Sequence, residues 1–166
     1  MKGCGSTIKN IRKQQLNRGG FTLIEVVLVL AIGGLIFLLA FIAFQQVSAN
    51  RRDTQRRNDA GRVLAELQNA SGDGFTVDTA AKLSTGASSF LATYFGGTLK
   101  GPQANYTFNY VTAPATTVAA AGAVDNLYVS YGSSCTAGSN NTFTKKPGSY
   151  AVVMGLEKGS VCRDDQ

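Results

Sequence analysis

The sequence predicts an α+β fold: a long N-terminal helical spine, membrane-spanning in its first half, packed on a small antiparallel β-sheet. Three observations predict it. Residues 21–44 carry a single charge, that of Glu25. Residues 45–69 contain no proline and one glycine, with Ala60, Val63, Leu64 and Leu67 at helical spacing. Beyond Gly97 the apolar pattern changes from the helical period to a period of two.

Residues 1–20 form a polar, basic leader. Lys2, Lys9, Arg12, Lys13 and Arg18 precede Phe21, no acid does, and the segment ends in Gly19-Gly20. A secretory signal would be cut after its apolar core, beside small residues. Here the apolar run passes into Gln45-Gln46-Val47 with no such site, so cleavage is expected before the run, on its cytoplasmic side. The run 21–44 is helical and, at about 1.5 Å per residue, extends roughly 36 Å, enough for a hydrocarbon core of about 30 Å. An ionised Glu25 near its start is costly in lipid and is by default functional.

Residues 45–69 continue the helix as an amphipathic second half. Arg51, Arg52, Asp53, Arg56, Arg57 and Asp59 are expected on a solvated face, with lipid headgroups or neighbouring subunits as alternative partners. Ala70-Ser71-Gly72-Asp73-Gly74 ends the helix. A helix from Phe21 to about Asn69 is too long for a domain of this size to bury, so half of it must project. Residues 70–166 form the globular sheet domain. Short helical pieces are expected over Thr79–Leu83 and Ala87–Phe95, then three strands carrying Tyr106, Phe108 and Tyr110; Leu127, Val129 and Tyr131; and Tyr150, Val152, Met154 and Leu156. The stretches Thr112–Asp125 and Gly132–Gly148 are expected as exposed loops.

Composition narrows the function. There is no histidine or tryptophan, which removes imidazole catalysis and the commonest metal ligand. No nucleophile–base pair or phosphate loop is present, so neither an enzyme nor a cofactor is expected. The net charge of +6 belongs mostly to the leader: of sixteen basic residues five precede Phe21, leaving eleven against ten acidic. Nucleic acid is a possible partner that this balance does not indicate. Once the leader with Cys4 is gone, Cys135 and Cys162 form an even pair, fitting a disulfide in an oxidising compartment; two separate buried thiols are the alternative. Five Lys and Arg flank the apolar run on each side, so the positive-inside rule does not orient it. The expected disulfide does, placing the C-terminal domain outside the cytoplasm.

The leader ending in Gly20, followed by Phe21-Thr22-Leu23-Ile24-Glu25-Val26 and a long apolar helix, resembles the type IV prepilins and the wider pilin and pseudopilin superfamily. The match is close over about the first 50 residues and architectural beyond them. The resemblance implies that a prepilin peptidase cuts between Gly20 and Phe21 and that the new amine of Phe21 is N-methylated. It also implies that Glu25 pairs with that amine on a neighbouring subunit in a filament. Many members have a proline where this chain has Ile42, so no kink is expected there; Gly33-Gly34 is a different weak point in the helix. The implied function is a structural subunit of a type IV pilus, used for adhesion, twitching motility or DNA uptake. The alternatives are a type II secretion pseudopilin or a minor pilin that binds a ligand or DNA. The implied partners are other pilin subunits, the peptidase and N-methyltransferase, the pilus assembly platform, and membrane lipid before assembly. The precursor would sit in the inner membrane, N-terminus in, and the assembled subunit in an extracellular pilus.

Overall fold

The structure, a computed structural model, describes residues 20–112, 118 and 123–165. The leader expected over residues 1–20 lies outside them, apart from Gly20. The chain divides into two compact units between Ile42 and Ala43.

One helix, α1 (Leu23–Gly72), contains both halves of the expected spine and is unbroken through Gly33, Gly34 and Ile42. Its first half is long and apolar enough to cross a membrane, and every side chain there is exposed. From Arg56 onward the helix buries one stripe, Arg56, Ala60, Val63, Leu64, Leu67 and Ala70. It ends because Gly74 takes φ +82°, which lets Phe75 N donate to Ala70 O (2.8 Å) and Gly74 N to Ser71 O (3.1 Å). Those two bonds satisfy carbonyls that the last turn would otherwise leave open. Two short helices follow, α2 (Ala80–Ser84) and α3 (Phe90–Phe95), capped by the hydroxyls of Thr79 and Ser89.

The sheet has four strands in the order β1 (Thr107–Tyr110), β2 (Asn126–Cys135), β3 (Phe143–Leu156) and β4 (Gly159–Asp164). Its second and third pairings are antiparallel, but β1 and β2 run parallel, Phe108 opposite Leu127. The sheet is therefore mixed where a wholly antiparallel one was expected. Parallel neighbours cannot be joined by a tight hairpin, and the described residues between them agree: Val111 and Val118 pack on the sheet face turned away from α1.

The expected loop over Gly132–Gly148 is also corrected. β2 continues to Cys135, β3 starts at Phe143, and only the tip between them is irregular. The pairing shifts between Tyr131 and Ser133, so that residues 146–149 stand against Gly132 alone. Past this bulge Phe143 returns over the sheet to pack on Ala151 and Val153. A fourth strand, β4, occupies the segment after Leu156.

These moves cover both faces of β3. Tyr150, Val152, Met154 and Leu156 meet the α1 stripe together with Leu127, Val129, Leu83 and Phe90. Ala151 and Val153 lie beneath Phe143, Val111, Val118, Tyr128 and Cys162. Each fully buried aliphatic side chain contributes about 1.5–3 kcal/mol, so packing rather than helix propensity holds this half of α1.

Candidate functional site

The N-terminal motif is built on the start of α1. Thr22 precedes the first helical residue, and its Oγ1 accepts from Glu25 N at 3.3 Å while its carbonyl accepts from Glu25 N at 3.1 Å and Val26 N at 3.3 Å. Thr22 and Glu25 have the spacing of a capping box, a helix-start signal that the reading of the sequence did not use. Glu25 thereby falls in the first turn, where the partial positive charge of the helix end favours a carboxylate. Phe21 is 84% exposed, and with Glu25, Val26, Val29 and Leu30 it lines a shallow groove of about 310 Å³. The arrangement is an apolar surface bearing one carboxylate, suited to a cation brought in on another apolar surface.

Gly20 is exposed, and a Cβ built there meets nothing within 4 Å. Among the described residues nothing requires glycine at that position on steric grounds.

Residues 16–41 match a family model described as the prokaryotic N-terminal methylation motif. The chain carries the leader motif of type IV pilins and pseudopilins. No curated protein and no solved structure matches the chain. The motif and the long apolar helix behind it fit a membrane-anchored precursor of the type IV pilin or pseudopilin kind.

The two late cysteines of this pilin-like chain are joined. Cys135, at the end of β2, is bonded to Cys162 on β4, with their Cα atoms 5.9 Å apart. Cys135 N also donates to Asp164 Oδ2 at 2.8 Å. The bridge therefore ties the returning end of the hairpin to the sheet's far edge, where the sequence suggested a loop held to the C-terminus.

Of the charge cluster expected on a solvated face, Arg51 and Arg57 are exposed, Arg52, Asp53 and Asp59 are half-buried, and its centre is internal. Arg56 is fully buried and lies on the same stripe as Ala60, Val63 and Leu67. Its Nε donates to Asp125 Oδ1 (2.9 Å), Nη1 to Asp53 Oδ1 (3.0 Å) and Glu157 Oε1 (3.3 Å), and Nη2 to Gln103 Oε1 (2.9 Å). Arg52 joins through a two-pronged pair with Glu157, and Tyr106 donates to Asp59 Oδ2 at 2.7 Å. Burial opposes the charge on Arg56, but its bonds to Asp125, Glu157 and Asp53 outweigh it and hold the pKa above the ordinary value. The Arg52 hydrogen bond, aided by Arg56, holds Glu157 below the usual carboxylate range. Burial first, then the bond to Asp59, pushes the Tyr106 phenol upward. With each of its three nitrogens engaged, the guanidinium fastens three segments, at Gln103, Asp125 and Glu157, to α1. Its signal in the sequence was its place on the apolar stripe, four residues before Ala60 and seven before Val63.

Proposed function

We propose that this pilin-like precursor is cut between Gly20 and Phe21, methylated at the new Phe21 amine, and polymerised through α1 into a type IV pilus. The observation that carries the reading is the motif itself: a basic leader ending in glycine, then a capped helix with one carboxylate in an otherwise apolar run. That no described residue crowds position 20 supports recognition of the glycine by an outside agent, the prepilin peptidase.

Glu25 explains why such a subunit would polymerise rather than stay in lipid. A lone carboxylate in hydrocarbon is costly, and so is a lone amine; side by side, each reduces the other's cost. Pairing Glu25 with the Phe21 amine of an adjoining subunit relieves both and sets the axial position of the newcomer. The Cys135–Cys162 bridge supports a C-terminal domain outside the cytoplasm, hence an N-in orientation and an extracellular filament. Adhesion, twitching motility or DNA uptake would then follow from the machine that assembles it.

Electron microscopy of material sheared from cells, with mass spectrometry of its main band, tests the reading. Filaments whose subunit begins at methylated Phe21 are expected. A full-length chain confined to the membrane would overturn it, and a processed chain that never reaches the surface would favour the pseudopilin alternative.

A further inference from the structure

The end of the folded domain nearest the apolar run presents charge of one sign. Phe44 and Val47, the last large apolar side chains exposed along α1, belong to the same compact unit as the sheet. Glu157 N donates to Asp53 Oδ1 at 3.0 Å, which sets the turn between β3 and β4, Glu157 and Lys158, beside α1 about 13 Å past Phe44. The acids at this level are engaged within the fold. Glu157 pairs with Arg52 and Arg56, and Asp53 and Asp125 pair with Arg56. Arg51 and Lys158 are exposed, and among the described residues neither has an ion-pair partner.

We propose that Arg51 and Lys158 bind the phosphates of anionic lipids, so that the unassembled subunit rests its domain on the leaflet through which α1 emerges. A headgroup layer adds about 5–8 Å to each side of the hydrocarbon. Arg51 starts about 10 Å past Phe44, and helical side chains lean towards the N-terminus, so its guanidinium drops back over Val47 to the headgroups. Lys158 extends its stem from the turn, leaving its ammonium free to reach the same layer. Arg57, also exposed, stands about 20 Å past Phe44, too far to take part. Arg51 lies about 140° round the helix from Arg56, on the side away from the sheet, whereas Lys158 lies on the sheet side. A protein docking on one side of α1 would meet one of these cations; headgroups surround a spanning helix and meet both.

This docking presupposes the membrane-anchored precursor. The full chain is reconstituted into vesicles of phosphatidylcholine, or of an equal mixture with phosphatidylglycerol, and labelled briefly with a membrane-impermeant amine-acylating reagent. Mass spectrometry should show Lys158 acylated about fivefold more slowly on the anionic vesicles. Lys82 is the internal reference: Val77, just before its helix, bonds to Tyr150, roughly 20 Å up β3 from Glu157, and its rate should not change. Molar sodium chloride, which shortens the screening length to about 3 Å, should abolish the difference. Arg51→Gln should at least halve the slowing while the chain still floats with the vesicles. A chain that does not float with either vesicle overturns the membrane anchor and the docking together. A floating chain in which Lys158 and Lys82 behave alike, or a slowing that survives molar salt or Arg51→Gln, overturns the docking and leaves the anchor standing. Slowing by inorganic phosphate beside neutral vesicles also overturns it, by making the ligand a free anion.

Discussion

Arg56 shows how a single side chain can reverse the meaning of a charged stretch. Read along the chain, Arg51 to Asp59 is a solvated patch; in the fold, its centre is a buried guanidinium bonded to Asp53, Asp125, Glu157 and Gln103. Removing it leaves Asp125 without its ion-pair partner and loosens Asp53 and Glu157, which keep their bonds to Glu157 N and Arg52. Breaking a buried pair by deleting one member costs roughly 3–5 kcal/mol, and the residual solvent access of these acids puts Arg56→Ala near the lower end. Denaturant unfolding of the detergent-solubilised chain measures this, and a loss below about 1 kcal/mol would reduce the cluster to an ordinary surface network. The same cluster sets a pH response. Glu157 has its folded pKa depressed below the unfolded value of 4.5, so its contribution is complete above pH 4.5 and is lost as pH falls through the lower folded value. Melting temperatures should fall as pH drops below 4.5. Arg52→Met, by removing the strongest of the interactions that lower that pKa, should move the Glu157 titration followed by NMR upward.

Among the elements, the β2–β3 hairpin is the one whose path decides the most. Its bulge and the bridge from Cys135 to Cys162 return its tip over Ala151 and Val153, closing the second face of the sheet. With the cysteines 27 positions apart in the sequence, the bridge contributes about 3–4 kcal/mol in a loop-entropy account. Replacing both cysteines by serine should lower stability by about that amount. Amide exchange should quicken around Phe143 while Val63 and Leu67 stay protected, because α1 packs on the opposite face. A uniform loss of protection would show instead that the two faces unfold together. Gly155 records how closely Ala123, just before β2, approaches the sheet: a Cβ there would fall on the Ala123 carbonyl. Backbone cannot rotate aside as a side chain does, so Gly155→Ala should cost about 1–3 kcal/mol or more. Thermal unfolding would reveal it.

For the whole molecule in the proposed filament, Glu25 is the position at which anchoring and assembly would separate. Glu25→Leu makes the apolar run uniform, so membrane insertion should persist and leader removal should continue. The filament should be lost, because the amine of an adjoining subunit no longer finds a carboxylate in the apolar interior. Immunoblots of membrane and sheared fractions separate the two effects. Normal filaments from this variant would deny Glu25 its assembly role without touching the anchor.

The motif, the membrane run, the helical second half and the alternating strand faces were all legible in the residues, because each rests on local chemistry. Spacing of three and four residues makes a helix face, spacing of two makes a strand face, and a long apolar run has few other uses. The Thr22–Glu25 cap was equally local and was available in the same way. The parallel pairing of β1 with β2, the return of the hairpin tip and the burial of Arg56 were not legible. Each depends on which segments meet across long separations: Arg56 finds Asp125 and Glu157 at sequence separations of 69 and 101. Local pattern says which side of an element avoids water. Only the assembled fold says whether a charge on that side has found its partners, and so whether it can be buried.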